Sequence, residues 1–200
     1  AHAAYAQWQV CPPNPGDIQL GAVMEWLEAN MPAETIYTNG AGNFSVWLHR
    51  FHRYRRLGTQ LAPTSGSMGY GFPAAISAAI VQPETPVVCF AGDGDFLMSA
   101  QDLATAMAAG AKPVTIVFNN GILGTIRMHQ ENHYPGRVSA TDLVNPDFAA
   151  YAKAFGAHGE TVHATAEFAP AMERALASGK AAVIDLKLDP EAITPRTSLT

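Results

Sequence analysis

A chain of 200 residues with 48% hydrophobic and only 14% charged side chains carries enough apolar material for one sizeable core. Its net charge of −5 and pI near 5.7 argue against a general polyanion binder, so an anionic ligand needs local help from backbone amides or a metal. No apolar run approaches the ~20 residues of a membrane helix, no basic-then-apolar leader opens the chain, and Cys11 and Cys89 suggest neither a disulfide framework nor a zinc site. A cytoplasmic protein is the expectation.

Residues 1–16 lack an initiator methionine and end in Cys11-Pro12-Pro13-Asn14-Pro15-Gly16, and they read as a linker remnant from an upstream domain. From Asp17 to Asn30, Ile18, Leu20, Val23, Met24 and Leu27 recur at helical spacing behind a capping-type aspartate. A short strand over Thr35–Thr38 runs into Asn39-Gly40-Ala41-Gly42-Asn43, and a helical stretch follows from Phe44 to His49. After Thr59-Gln60-Leu61 comes the glycine-rich Ser65-Gly66-Ser67-Met68-Gly69-Tyr70-Gly71, then an alanine-rich helix from about Pro73 to Val81.

The apolar run Val87–Ala91 predicts a buried strand ending in a Gly92-Asp93-Gly94 turn. Ser99 and Asp102 have capping-box spacing for a helix from Ser99 to Ala109, which Gly110 stops. Pro113–Phe118 is a second buried strand, broken by Asn119-Asn120-Gly121. Helical patterns cover Leu123–Asn132 and Asp147–Phe155, and a short strand near His158–Val162, a last helix and the strand Ala181–Leu188 complete a body of residues 17–190, with 191–200 as a C-terminal tail. Continuous apolar strands alternating with helices predict an α/β fold: a doubly wound, mostly parallel sheet with helices on both faces. In such sheets ligands sit at the carboxyl ends of the strands, where three glycine-rich loops fall here.

The most informative pair is Gly92-Asp93-Gly94 and Asn119-Asn120, separated by the 24 residues Asp95 to Phe118. One strand-helix-strand unit between them brings both turns to the same edge, where the Asp93 carboxylate and Asn120 amide oxygen can converge. Two oxygen donors of that kind suit a hard cation such as magnesium, and a diphosphate beside Asp93 and Asp95 would be repelled unless a divalent cation bridged them.

At this spacing the pair resembles the signature of thiamine-diphosphate-dependent enzymes of the acetolactate synthase-like family. The resemblance extends through Thr64 to Ala75 and through Gly124-Thr125-Ile126-Arg127. It implies the C-terminal diphosphate- and metal-binding domain, with Mg2+ held by the side chains of Asp93 and Asn120 and the backbone carbonyl of Ile122. It also implies that the Gly66 carbonyl meets the aminopyrimidine amino group and that Met68 wedges between the cofactor's rings, a role suited to a polarizable thioether. Asn39, Gly40, Gly42, Asn43, Ser67, Gly94 and the helix start near Leu123 would complete the cofactor site, since helix N-termini favour anions.

The same resemblance implies decarboxylation or carboligation of a small 2-oxo acid, in a homodimer or homotetramer. The family's activating glutamate belongs to a separate pyrimidine-binding domain, and no glutamate of this chain sits in a version of that segment, so the chain reads as half of an active site. Thr125 and His129 stand where acetolactate synthases usually have methionine and tryptophan, and Asn-Asn-Gly-Ile stands where pyruvate decarboxylases read Asn-Asn-Asp-Gly. The acceptor therefore stays open, with His129 as a possible substrate contact. A non-catalytic cofactor-binding or assembly module is the alternative.

Three other features carry less. Gly40-Ala41-Gly42-Asn43-Phe44-Ser45 resembles a dinucleotide fingerprint but lacks the third glycine and the acidic residue that ribose recognition needs. His129 and His133 lie four apart without the glutamate of a zinc-protease motif. The basic run His49 to Arg56, with interleaved aromatics, reads as a solvated or subunit-facing helix end in an acidic chain, and nucleic acid is not expected as a partner.

Overall fold

The structure, a computed structural model, describes residues 2–196 and 199. Six strands, β1 (Ile36–Asn39), β2 (Gln60–Leu61), β3 (Val87–Gly92), β4 (Val114–Asn119), β5 (His158–Val162) and β6 (Ala182–Lys187), form one sheet in the order β2-β1-β3-β4-β6-β5. Every pairing is parallel, as the apolar runs predict. The chain winds outward to β2 from β1 and in the opposite direction from β3, so the sheet reverses between them. That reversal opens a crevice at the strands' carboxyl ends.

Side chains alternate across the central strands. Val88, Phe90, Ile116 and Phe118 face one core with α2 (Leu20–Asn30), α3 (Ser45–Phe51) and α9 (Thr165–Ala177). Val87, Cys89, Ala91 and Val117 face the other, with α4 (Gly71–Val81), α5 (Asp93–Leu97), α6 (Leu103–Ala109) and α8 (Phe148–Ala154). Two apolar layers on one parallel sheet make the doubly wound fold. Helix α1 (His2–Trp8) and α7 (Gly124–His133) contribute no buried residue.

Several local expectations change. The leading residues are not all linker-like coil: α1 is helical, and Asn14 is buried, its Nδ2 donating to the Ile18 carbonyl at 2.9 Å. Asp17 does not cap α2. Asn14 Oδ1 accepts the Leu20 amide and Thr165 Oγ1 the Gln19 amide, each at 2.8 Å, so long-range partners satisfy donors that a local cap would otherwise take. The Ser99–Asp102 capping box is absent: residues 100–102 form a 3-10 turn, and Ser99 Oγ is buried without a partner. Gly110 does terminate α6, and Asp147, at the start of the expected helical pattern, is found to cap α8 by accepting the Ala150 amide.

The basic run is not simply solvated. Arg50 is buried, with its guanidinium 4.1 Å from the Trp8 ring and its Nε donating to the Trp8 carbonyl at 2.8 Å. His52 and Arg55 pair with Glu28, and Arg56 with Glu34. Among the described residues no helix is long and apolar enough to cross a membrane.

Candidate functional site at the strand carboxyl ends

Gly92-Asp93-Gly94 is not a turn. β3 ends at Gly92, and the chain enters α5 directly with Asp93 as its first residue. Both acidic groups, Asp93 and Asp95, thus sit in the first turn of a helix, where the backbone dipole favours negative charge. Asp93 is only 3% exposed. Its Oδ1 accepts the Gly94 amide at 2.9 Å, and its Oδ2 accepts the Gly121 amide and Asn145 Nδ2, each at 2.8 Å. Burial nevertheless pushes its pKa above the ordinary aspartate value, against the pull of these donors.

Asp95 acts differently. Its Oδ1 accepts the Gly69 amide at 2.8 Å and the Ala41 amide at 3.2 Å, tying the loop after β1 to the glycine-rich loop before α4. Burial pushes its pKa up to about 6. A Cβ at Gly40 would land on this carboxylate, and one at Gly71 would lie 2.5 Å from the Gly40 nitrogen, so the two loops approach only because these residues have no side chain. Among the described residues, neither Asp93 nor Asp95 forms an ion pair.

The chain leaving β4 completes the edge. Gly121, at φ +71°, turns its amide to Asp93. Ile122 bridges antiparallel to Asp142, and the flanking bonds run from the Leu123 amide to the Thr141 carbonyl and from the Leu143 amide to the Gly121 carbonyl, both at 2.8 Å. In such a pair the middle residue's own N–H and C=O point away from the partner strand. The Ile122 amide accordingly reaches the Asn120 Oδ1 at 3.3 Å, so the Ile122 carbonyl opens on the same side as the Asn120 amide. Among the described residues no cluster of three or more His, Cys, Asp and Glu side chains can hold a metal, so a cation here depends on one carboxylate with amide and backbone oxygens.

These residues line a cavity of about 300 Å³ that contains Gly42, Asn43, Gly66, Met68, Asp93, Gly94, Asp95, Asn120, Ile122 and Leu123. These ten candidate residues thus meet from three loops and the start of α5, far apart in sequence. Four candidates lie outside the lining. Asn39 is buried and bonded to His49 and to the Gly40 carbonyl, Gly40 is packed on Asp95, and Ser67 and His129 are exposed. Nor are the loop amides after β1 generally open to a diphosphate: those of Gly40, Ala41 and Asn43 donate to the Phe90 carbonyl, Asp95 and Thr125 Oγ1. The start of α7 has no side-chain cap, and the amides of its first three residues, Gly124 to Ile126, lack intrahelical partners.

Sequence reasoning missed three contributors. Thr125 accepts the Asn43 amide at 3.0 Å and joins the lining. The tail after β6 folds back, with buried Ala192 and Ile193 closing one wall. Asn145 supports Asp93 from behind, and no motif signal marks a residue 52 positions away.

Residues 40–186 match the family described as thiamine pyrophosphate enzyme, C-terminal TPP binding domain. The chain is 30% identical over 179 residues to the acetolactate synthase isozyme 2 large subunit of Escherichia coli K12, covering 88% of this chain and 33% of that protein. It is 36% identical over 150 residues to the acetolactate synthase large subunit of Parasynechococcus marenigrum, covering 74% of this chain and 24% of that protein. Against the acetolactate synthase of Mycobacterium leprae it is 36% identical over 154 residues, which cover 74% of this chain and 25% of the relative. The chain therefore spans about a quarter to a third of the length of these curated relatives.

Proposed function

Because this chain belongs to the thiamine pyrophosphate enzyme family, as its C-terminal TPP-binding domain, we propose that it holds the diphosphate of thiamine diphosphate through Mg2+ for a decarboxylase or carboligase of 2-oxo acids. The observation that carries this reading is Asp93, a buried carboxylate with only N–H partners, in the lining of a cavity shared with Asn120 and Ile122. An anionic diphosphate beside it needs a cation, and the oxygen set of one carboxylate, one amide and one carbonyl suits magnesium.

The ligand atoms can be assigned from their existing bonds. Asp93 Oδ2 already accepts two N–H groups and Oδ1 only one, so Oδ1 keeps the freer lone pair for the metal. Asn120 Oδ1 and the Ile122 carbonyl complete the protein's share. The open amides of Gly124, Thr125 and Ile126 neutralise diphosphate oxygens at the start of α7. Met68 and Gly66 share the cavity wall, where the Met68 thioether would pack against the cofactor's rings and the Gly66 carbonyl would accept from its amino group. When bound, thiamine diphosphate supplies a nucleophilic carbon and an electron sink for the decarboxylation of a 2-oxo acid. The chain's own apolar walls, Leu20, Trp47, Phe118 and Ile193, exclude water from that centre.

Among the described residues no carboxylic acid other than Asp93 and Asp95 lines the cavity, and both are committed to structural or metal roles. A pyrimidine-binding domain, of the same or another chain, supplies the missing proton donor, in keeping with a dimer or larger assembly. The purified 200-residue chain, given thiamine diphosphate, Mg2+ and pyruvate, is therefore expected to release no carbon dioxide above background until that domain is added. Turnover by the chain alone, lost in Asp93→Ala, would overturn the half-site reading.

A further inference from the structure

Four polar side chains behind the cavity form one connected line. Lys187 Nζ lies 2.7 Å from Asp185 Oδ2. Asp185 Oδ1 accepts Asn119 Nδ2 at 2.9 Å, and Asn119 Oδ1 accepts Asn145 Nδ2, also at 2.9 Å. The same Asn145 nitrogen donates its second hydrogen to Asp93 Oδ2 at 2.8 Å. Asp185 has no exposed surface, and Asn119 is 6% exposed. They sit on neighbouring parallel strands, β6 and β4, with Asn119 level with Lys187. None of Asn145, Asp185 and Lys187 lines the cavity.

The line has a fixed polarity. A carboxylate only accepts, so Asp185 obliges Asn119 to present its NH2 group and leaves the Asn119 oxygen facing Asn145. That oxygen obliges Asn145 to present its NH2 group in turn, and the remaining hydrogen falls on Asp93. Reversing Asn145 would set its oxygen against both the Asp93 carboxylate and the Asn119 oxygen. In the observed orientation Asn145 Oδ1 is buried without a partner, which is the local cost of holding the nitrogen where Asp93 needs it.

We propose that Asn145, oriented through Asn119 by the buried Asp185 carboxylate with the Lys187 ammonium beside it, is a positioning residue that saturates Asp93 Oδ2 and so aims Oδ1 at the metal. This deepens the magnesium–diphosphate reading and rests on it. Partners of this kind behind a ligating carboxylate fix its orientation, and their loss typically weakens metal binding 10–100-fold.

The test titrates thiamine diphosphate into the full 200-residue chain at graded Mg2+ and reads the Mg2+ concentration for half-maximal binding, beside circular dichroism and the thermal midpoint without metal. Asn145→Ala is expected to raise that concentration about 10–100-fold, with cofactor affinity restored at saturating Mg2+. Asp185→Asn, whose amide can turn either its oxygen or its NH2 group to Asn119 and so removes the fixed polarity of the line, is expected to shift it in the same direction by less, and the double variant no further than Asn145→Ala. A purely structural role would lower the thermal midpoint without moving the Mg2+ dependence. Should Asn145→Ala fail to fold, Asp185→Asn decides. A parent chain that binds no cofactor with Mg2+ contradicts the underlying reading; a parent that binds while the folded variants keep its Mg2+ dependence within about twofold overturns the relay alone.

Discussion

Two corners of the sheet handle negative charge in opposite ways. At the outer edge, Glu160 on β5 is partly buried and fully paired, with Arg174 of α9 reaching both its oxygens and His158 lying 2.8 Å away. At the carboxyl ends of β1, β3 and β4, Asp93 and Asp95 are each 3% exposed and surrounded by N–H donors without a cation among the described residues. The pKa shifts follow: Arg174 and His158 hold Glu160 below its ordinary value, whereas burial pushes Asp93 and Asp95 above theirs. Amide dipoles lessen the cost of a buried carboxylate but do not cancel it. The outer corner is complete as it stands, and the inner one keeps two buried carboxylates without a cationic partner among the described residues.

The comparison breaks most visibly at Gly40. Gly40→Ala places a methyl group on the Asp95 carboxylate, which must then release the Ala41 and Gly69 amides it holds. A loss of roughly 2–4 kcal/mol is expected for an uncompensated buried charge and two broken bonds. Urea denaturation of the parent and the variant measures it. A change below ~0.5 kcal/mol would mean that the two loops are not clamped by Asp95.

The outer corner gives a smaller effect with a distinct pH signature. Glu160 titrates below 4.5 in the fold, so its contribution is fully present above that value and fades as pH falls through the depressed folded pKa. Glu160→Gln is therefore expected to destabilise the chain at neutral pH, with the deficit vanishing in acid. Thermal midpoints of the two proteins from pH 7 down to pH 3 provide the check, and a deficit that persists unchanged at the acid end would remove the ion pair from the account.

The central strands were legible because burial on both faces leaves an uninterrupted apolar run, as in Val87–Ala91 and Pro113–Phe118. That Asp93 and Asn120 share one edge was legible because each follows such a run, and one crossover unit between two paired parallel strands brings them together. Where local chemistry competes with long-range contacts, the sequence misleads. Ser99 and Asp102 have cap spacing, yet a 3-10 turn takes their place, and Asp17 yields its capping role to Asn14 and Thr165. The backs of sites are the least legible. Asn145 and Asp185 meet Asn119 across 26 and 66 positions, and neither stands in a pattern with its own neighbours. His129, which the resemblance offers as a possible substrate contact, is exposed on α7 and lies outside the cavity lining.

The account depends on one claim above the rest, that the uncompensated Asp93 couples cofactor binding to a divalent cation. Isothermal titration of thiamine diphosphate into the chain, with Mg2+ and then with a chelator, tests it directly in the parent and in Asp93→Ala. The account predicts one cofactor per chain with Mg2+, and binding weakened at least ~100-fold both by chelation and by Asp93→Ala, since losing the metal or its ligand costs at least as much as losing a partner behind the ligand, about 10–100-fold, while the variant stays folded by circular dichroism. Equal affinity in the parent with and without Mg2+, or an Asp93→Ala chain that binds as tightly as the parent, would contradict it.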